Sequence, residues 1–139
     1  MNNMAPYELV EISNEFFEFV RRLRTDPRNA DSFINNNEIT FQNQIDYMEQ
    51  HLKDYFVCLS QQTPVGFIGV VQGDIRLAVD HDFRNRGVAT FMVKEISKLF
   101  PEASAKIRTS NVASIALFES VGFERQFYIY GKVEGNEPI

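Results

Sequence analysis

The sequence is poor in the residues that build disulfides and metal sites. It contains one cysteine, Cys58, which excludes an intrachain disulfide and leaves no thiol cluster for a metal. Its two histidines, His51 and His81, lie too far apart in the chain to match the spacing of zinc ligands. We therefore expect no metal site.

Long apolar runs and an excess of positive charge are also missing. No window approaches the roughly 20 apolar residues of a membrane span, and the N-terminal Met1–Pro6 has neither the basic region nor the apolar core of a signal peptide. The net charge of -5 argues against nucleic-acid binding through bulk electrostatics. We expect a cytoplasmic protein with neither a membrane nor a nucleic acid as partner.

The composition is that of a single globular domain. The chain has 139 residues, of which 44% are hydrophobic and 24% charged, enough to bury a substantial core. No repeat, linker or low-complexity block divides it. We expect one α/β domain over residues 1–139.

The first part of the chain reads as a strand followed by helices. Residues 6–12 are apolar and β-prone, and a helix starts at residues 13–15 with an apolar stripe behind it. Residues 28–37 are polar and are expected to form a short helix or loop. Thr40 is a predicted N-cap for a second amphipathic helix.

From residue 54 the apolar pattern is that of strands. Four strands are predicted, over residues 55–60, 65–72, 75–79 and 105–109. Cys58 lies in the first of them and is expected to be a small core residue. A helix is predicted between the third and fourth strands, up to Pro101. A second helix is capped by Ser110 or Asn111 and ended by Gly122, and a final strand spans residues 123–131.

The segment Arg84-x-x-Gly87-x-Ala89 joins a buried strand to an apolar-faced helix. Gly87 can adopt positive φ and has no side chain to block a ligand. The first N–H groups of a helix have no partner within it and carry partial positive charge. Such a junction suits a phosphate or pyrophosphate.

Two motifs in fixed order carry a family resemblance. The first is the strand–Arg84-x-x-Gly87-x-Ala89–helix, and the second is Asn111-x-x-Ser114-x-x-Leu117-Phe118-Glu119-x-x-Gly122-Phe123. Together they resemble the acetyl-CoA-binding half of the GNAT superfamily of N-acetyltransferases over residues 54–123. The resemblance implies a central mixed, mostly antiparallel sheet with splayed strands, flanked by helices, with a shortened C-terminal strand region.

The resemblance also implies where acetyl-CoA binds. Its pantetheine arm would pair with the strand end, its pyrophosphate would lie on the loop and helix start, and Val79 or its neighbour would donate a backbone N–H to the thioester oxygen. The implied acetyl-CoA-binding residues are Leu77, Ala78, Val79, Arg84, Asn85, Arg86, Gly87, Val88, Ala89, Thr90, Asn111, Ser114 and Phe118.

The N-terminal part of the chain resembles a narrower group within this superfamily. Residues 23–28, Phe33 and the helix after Thr40 resemble N-acetyltransferases that act on nucleotide-linked amino sugars, such as those of the pseudaminic acid pathway. The resemblance favours a small primary amine as acceptor. Because one strand stands where the family usually has two after Gly122, a wall of the acceptor pocket is absent, open to solvent or supplied by a partner subunit, which leaves a homodimer open.

No catalytic residue is assigned. Many family members protonate the departing thiolate with a tyrosine where this chain has Phe118, so Tyr128 or Tyr130 are the candidates to replace it. Asp74 is a candidate base, acting directly or through water, whereas His81 is expected to be a surface turn residue. The bound amine could also lose its proton to water.

Two other interpretations stay open. The chain could acetylate a protein N-terminus or a lysine side chain, or it could bind acyl-CoA without catalysis, as the phenylalanine at position 118 would allow. A dinucleotide-binding module is disfavoured because the sequence lacks G-x-G-x-x-G and repeated βαβ units.

Overall fold

The computed structural model describes residues 6–32 and 40–133. They form an antiparallel sheet of four strands in the order β1-β2-β3-β4. The strands are β1 (Tyr7–Glu11), β2 (Tyr55–Ser60), β3 (Thr63–Val71) and β4 (Asp74–Val79). The helices are α1 (Phe17–Thr25), α2 (Phe41–Gln50), α3 (Val88–Leu99) and α4 (Val112–Ser120). Short 3₁₀ turns lie at Asn14–Phe16, Pro27–Ser32 and His81–Phe83.

This architecture confirms the predicted α/β fold with a sheet flanked by helices. Part of the polar segment predicted over residues 28–37, including Phe33, lies outside the described residues, and so does the tail from residue 134. Among the residues that the structure describes, no helix has the length and apolar character needed to cross a membrane.

The alternation of side chains along the strands divides the core into two layers. On one face α1 and α2 pack their buried residues Leu23 and Met48 against Val57 and Phe67. On the other face Met92 and Ile96 of α3, together with α4, cover the opposite set of strand residues. Strand β3 lies between two neighbours and two helical layers, which explains its unbroken apolar run.

Local signals in the sequence set the helix ends. The Thr40 hydroxyl accepts a hydrogen bond from the Asn43 backbone N–H at 3.0 Å, so the predicted N-cap of α2 is confirmed. The Asn111 side chain accepts from the Ser114 N–H at 3.1 Å and caps α4 in the same way. Gly122 follows α4 with φ +100°, a conformation that favours glycine.

Two predicted strands are absent from the described structure. Residues 105–109 form no ladder, since the chain makes only a single parallel bridge, between Ser104 and Asp74, before it leaves β4. Residues 123–131 are irregular and mostly exposed. Both segments have suitable side chains, but a strand also needs a paired neighbour, and neither has one among the described residues.

Candidate functional site

Strand β4 and the chain that follows α3 separate to form a cleft. They meet at one end, where Ile75 N–H donates to the Ser104 carbonyl at 2.8 Å and Ser104 N–H donates to the Gly73 carbonyl at 2.9 Å. Beyond this contact a cleft of about 350 Å³ opens, counting its solvent-filled mouth. Its lining residues are Ile75, Leu77, Ala105, Lys106, Ile107, Asn111, Ser114 and Phe118.

The backbone of β4 presents hydrogen-bonding groups to this cleft. Ile75 bonds outward to Ser104, whereas Asp80 N–H donates inward to the Val65 carbonyl. Because backbone groups alternate sides along an antiparallel strand, Leu77 and Val79 also face outward. The backbone N–H and C=O of Ala78, between them, point toward β3. An extended, amide-containing ligand in the cleft could therefore pair with β4 as an added strand would.

The start of α3 lies beyond the end of β4. Gly87 is its N-cap, with φ +79°, and a Cβ added there would meet nothing within 4 Å. The first intrahelical bond runs from Phe91 N–H to the Gly87 carbonyl at 3.0 Å. The N–H groups of Val88, Ala89 and Thr90 consequently have no acceptor within the helix. This end of α3 is open and suited to an anion.

Side chains from other elements hold the loop before α3. The Arg84 guanidinium donates to Asn29 Oδ1, and the Tyr7 hydroxyl donates to the Arg86 carbonyl. Asn29 is fully buried and donates in turn to the Leu23 carbonyl at 3.1 Å. Arg84 thus ties the loop to the turn after α1. Tyr7 and Asn29 belong to no motif, so no signal in the sequence marks them as part of the site.

The corner between β4 and the loop is fixed by a buried carboxylate. Asp80 accepts from Arg22 at 3.2 Å and from the Asp82 N–H at 3.0 Å. His81 is exposed within the 3₁₀ turn that follows, which confirms the expectation of a surface turn residue.

A polar cluster lies on the opposite face of β4, toward α1 and α2. Arg76 donates to the Tyr47 hydroxyl at 2.9 Å, and the Tyr47 and Tyr55 hydroxyls are 3.0 Å apart. Gly69 of β3 lies between Tyr55 and Arg76 in the sheet register. A Cβ on Gly69 would lie 2.4 Å from the Tyr55 ring, so the missing side chain makes room for that ring. We call Tyr47, Tyr55 and Arg76 the Tyr–Tyr–Arg cluster.

Asp74 lies beside this cluster at the start of β4. Its Oδ2 is 3.5 Å from Arg76 Nε, and its buried Oδ1 has no hydrogen-bond partner among the described residues. The carboxylate is therefore on the α1–α2 side of β4. Asp74 stays a candidate base in this position.

Phe118 is buried at the base of the cleft. Its ring meets that of Phe123 edge-on, with centroids 5.1 Å apart, and it has no group that could donate a proton. Tyr128 and Tyr130 are 71% and 92% exposed on the irregular segment after α4. The structure does not bring them to the cleft.

Cys58 is confirmed as a core residue. The side chain is fully buried in β2, and burial raises the pKa of its thiol to about 12. A thiol with that pKa is not a nucleophile at neutral pH.

The comparison with protein families agrees with this geometry. A sequence profile described as the acetyltransferase (GNAT) family matches residues 8–123. The chain belongs to the GNAT family. The predicted family and its acyltransferase class are therefore confirmed. A comparison with curated protein sequences found no match.

Solved structures of GNAT proteins share the fold. A GNAT-family acetyltransferase from Bacillus anthracis aligns with a TM-score of 0.76 at 17% identity, over 96% of this chain and 89% of its own. Spermidine N-acetyltransferase from Vibrio cholerae, in complex with CoA and spermine, aligns with a TM-score of 0.72 at 16% identity. The alignment covers 91% of this chain and 89% of that enzyme. Ribosomal-protein-alanine N-acetyltransferase from Brucella melitensis aligns with a TM-score of 0.74 at 19% identity, over 84% of each chain.

Proposed function

We propose that this protein transfers an acetyl group from acetyl-CoA to the primary amine of a small acceptor. The observation that carries the proposal is the alignment of two features along one path. The outward-facing backbone of β4 at Leu77 and Val79 leads to the open N-terminus of α3 at Gly87. The first feature suits the amides of a pantetheine arm and the second suits a pyrophosphate.

The residues of this path fit acetyl-CoA. The backbone of Leu77 and Val79 would bind the arm, and the N–H groups from Gly87 to Thr90 would bind the phosphates, with Asn85 and Arg86 beside them. Asn111, Ser114 and Phe118 line the cleft that would receive the arm. Because the backbone groups of Ala78 point toward β3, Ala78 would contribute to acetyl-CoA binding through packing and not through a hydrogen bond.

The chemistry needs little from the side chains. The amine nitrogen forms a bond to the thioester carbonyl carbon, the carbon–sulfur bond breaks, and the amine proton passes to water or to Asp74. The outward N–H of Leu77 or Val79 would stabilise charge on the carbonyl oxygen. A thiol of ordinary pKa near 8.5 leaves tolerably as thiolate, so solvent can supply its proton in place of the missing hydroxyl at Phe118.

For the acceptor we keep a nucleotide-linked amino sugar as the first choice. It is supported by the resemblance over residues 23–28. Acetylation of a protein N-terminus or lysine is the alternative within the same chemistry. The alternative outside enzyme chemistry is a module that binds acyl-CoA without catalysis. The cytoplasmic location stays a prediction.

The exposed segment after α4 supports a homodimer. Phe127, Tyr128, Ile129 and Tyr130 are 82%, 71%, 83% and 92% exposed. Aromatic side chains can each bury roughly 150–250 Å². Two copies that cover each other's segment would bury roughly 1,000 Å² or more in total, which is the scale of a specific interface. Among residues 6–32 and 40–133 nothing covers these side chains, and a second copy, which presents the same apolar segment, is the expected partner.

Sedimentation tests the dimer. We expect the wild type to sediment as a dimer and a Phe127→Ser, Ile129→Ser variant as a monomer. The matched control is Val112→Ser, which removes an apolar side chain that is 71% exposed on α4. A monomeric wild type would contradict the interface.

The proposed activity is tested by release of free thiol from acetyl-CoA in the presence of amines, with CoA affinity measured by calorimetry. The panel contains nucleotide-linked 4-amino sugars, polyamines, aminoglycosides and short peptides. Turnover of one class supports the transferase, and CoA binding without turnover of any amine supports a binding module. Absence of CoA binding would refute the proposal.

A further inference from the structure

Tyr7 joins the first strand of the sheet to the loop before α3. Its hydroxyl donates a hydrogen bond to the Arg86 carbonyl. Its half-buried ring lies against Phe91 near the start of α3, with the ring centroids 5.7 Å apart. Because β1 and β4 are the two edges of the sheet, Tyr7 reaches the loop from the edge opposite to the strand that lines the cleft.

The peptide group between Arg86 and Gly87 is oriented by this hydrogen bond. The carbonyl and the N–H of a trans peptide point in opposite directions, and the described residues include no cis peptide. With the Arg86 carbonyl directed to Tyr7, the Gly87 N–H is directed away from β1. That N–H has no hydrogen-bond acceptor among residues 6–32 and 40–133. Since acetyl-CoA is proposed to run along β4 to the start of α3, the Gly87 N–H is a free donor on the side of the ligand.

The backbone conformation alone does not fix this peptide. Gly87 has φ +79°, and Asn85, on the other side of Arg86, has φ +63°. Glycine adopts positive and negative φ about equally well, so the peptide before Gly87 can rotate and turn its N–H away from a ligand. The Tyr7 hydroxyl stabilises one of these orientations. Its hydrogen bond also polarises the peptide, which makes the N–H a stronger donor.

The rest of the loop is held by contacts that do not involve Tyr7. The Arg84 guanidinium donates to Asn29, and the guanidinium carbon of Arg86 lies 5.3 Å from the centroid of the Phe83 ring. Neither contact uses the Arg86 carbonyl. Loss of the Tyr7 hydroxyl should therefore release the orientation of one peptide and leave the loop as a whole in place.

We infer that Tyr7 is a positioning residue, whose hydroxyl holds the Arg86–Gly87 peptide so that the Gly87 N–H binds the pyrophosphate of acetyl-CoA. This inference rests on the proposed function and adds β1, which carries none of the sequence motifs, to the elements that bind the donor substrate. It implies that Tyr7 acts on the phosphate end of acetyl-CoA and not on its pantetheine arm.

Two ligands that share the arm test the inference. Pantetheine has the arm of CoA but lacks its pyrophosphate and nucleotide. Tyr7→Phe removes the hydroxyl and keeps the ring that lies against Phe91. We expect the variant to bind CoA about fivefold more weakly, on the scale of one hydrogen bond, with pantetheine affinity unchanged. Calorimetry measures CoA, and competition against CoA measures pantetheine. Unchanged CoA affinity would overturn the inference, and so would equal losses for the two ligands, which indicate a structural role only.

Tyr47→Phe is the matched control. It also removes a hydroxyl that joins the sheet to a helix, since the Tyr47 hydroxyl accepts from Arg76 at 2.9 Å on the other face of the sheet. Denaturant unfolding should show a comparable loss of stability in the two variants, whereas only Tyr7→Phe should lose CoA affinity. Similar losses of CoA affinity in both variants would trace the effect to general stability and overturn the inference.

The Gly87 amide reports the orientation of the peptide directly. The chain has seven glycines, so labelling glycine alone with ¹⁵N gives a simple NMR spectrum, in which Gly87→Ala identifies the Gly87 signal. The probe is inorganic pyrophosphate. We expect pyrophosphate to shift the Gly87 signal in the wild type and to require about fivefold higher concentration in Tyr7→Phe. Equal titrations in the two proteins, or no shift of Gly87 in either, would overturn the inference.

CoA affinity of the wild type separates the two failures. If the wild type does not bind CoA, the proposed function itself is wrong, and the role of Tyr7 falls with it. If the wild type binds CoA and Tyr7→Phe binds it equally well, the proposed function stands and only the role of Tyr7 is refuted.

Discussion

The Arg84 guanidinium donates a hydrogen bond to the buried side chain of Asn29 and so joins the loop before α3 to the turn after α1. Asn29 is fully buried, and its amide also donates to the Leu23 carbonyl at 3.1 Å. One side chain, Asn29, therefore connects α1 and the turn after it to the proposed phosphate loop.

Asn29→Ala should weaken both the fold and CoA binding. Loss of two hydrogen bonds from a buried site should cost about 1–3 kcal/mol of unfolding free energy, and the freed Arg84 should lower CoA affinity severalfold. Denaturant unfolding and calorimetry measure the two effects. Asn43→Ala, at an exposed position of α2, is the control. Unchanged CoA affinity would mean that Asn29 does not order the loop.

Gly87→Glu should abolish CoA binding and leave the fold intact. The position has φ +79° and open space where a Cβ would lie, so the backbone strain should be only roughly 1–2 kcal/mol. The new carboxylate would repel the phosphates and cover the helix N-terminus. Gly73→Glu is a closely matched control, with φ +80° and equally open space in the β3–β4 turn. Similar CoA affinity in the two variants would place the pyrophosphate elsewhere.

Local signals predicted much of this fold, because each depends on a few neighbouring residues. The caps at Thr40 and Asn111 and the helix end at Gly122 lie as expected. The strands predicted over 105–109 and 123–131 fail because pairing depends on a neighbour that their own residues do not specify. Apolar and aromatic residues such as Phe127 and Ile129 favour a strand equally in a sheet and in an uncovered segment.

The candidate site also combines features that local sequence signals predict with features that only the folded structure reveals. The open helix start at Gly87 follows from the spacing of small residues after a strand. The Tyr–Tyr–Arg cluster depends on the register that aligns Tyr55, Gly69 and Arg76 across three strands, and no linear motif encodes it. Asn29 contacts Arg84 across a large separation in the chain, so only the folded structure brings them together.

The Tyr55 ring and Gly69 should be coupled energetically. A Cβ at Gly69 would lie 2.4 Å from the ring, so Gly69→Ala should cost about 1–3 kcal/mol of unfolding free energy and displace Tyr55. The cost should largely disappear in a Tyr55→Leu background, which a double-mutant cycle measures. Gly131→Ala, where a Cβ meets nothing, is the control. Additive effects would show that the ring does not occupy the space over Gly69.

The Cys58 thiol should make stability fall at high pH. Burial raises its pKa to about 12 from the usual 9.0, so the folded state favours the neutral thiol. Its contribution is complete below pH 9 and is lost as the pH rises toward 12, because the unfolded state releases the proton first. Unfolding free energies of the wild type and Cys58→Ala should therefore converge over this range. Parallel curves would contradict the burial of the thiol, as would rapid reaction with a thiol reagent at pH 8.

Phe118→Tyr tests whether this enzyme lacks an acid for its leaving group. The ring lies at the base of the cleft, and a hydroxyl there would meet the sulfur end of a bound thioester if the arm follows β4. General-acid assistance should then raise kcat by up to about 100-fold, and kcat should decline above pH 10 as the new phenol ionises. Phe123→Tyr is the control, because its ring touches Phe118 but does not line the cleft. If Phe118→Tyr retains CoA affinity and kcat stays unchanged, departure of the thiolate does not limit turnover, and the phenylalanine is no obstacle to catalysis in the native protein.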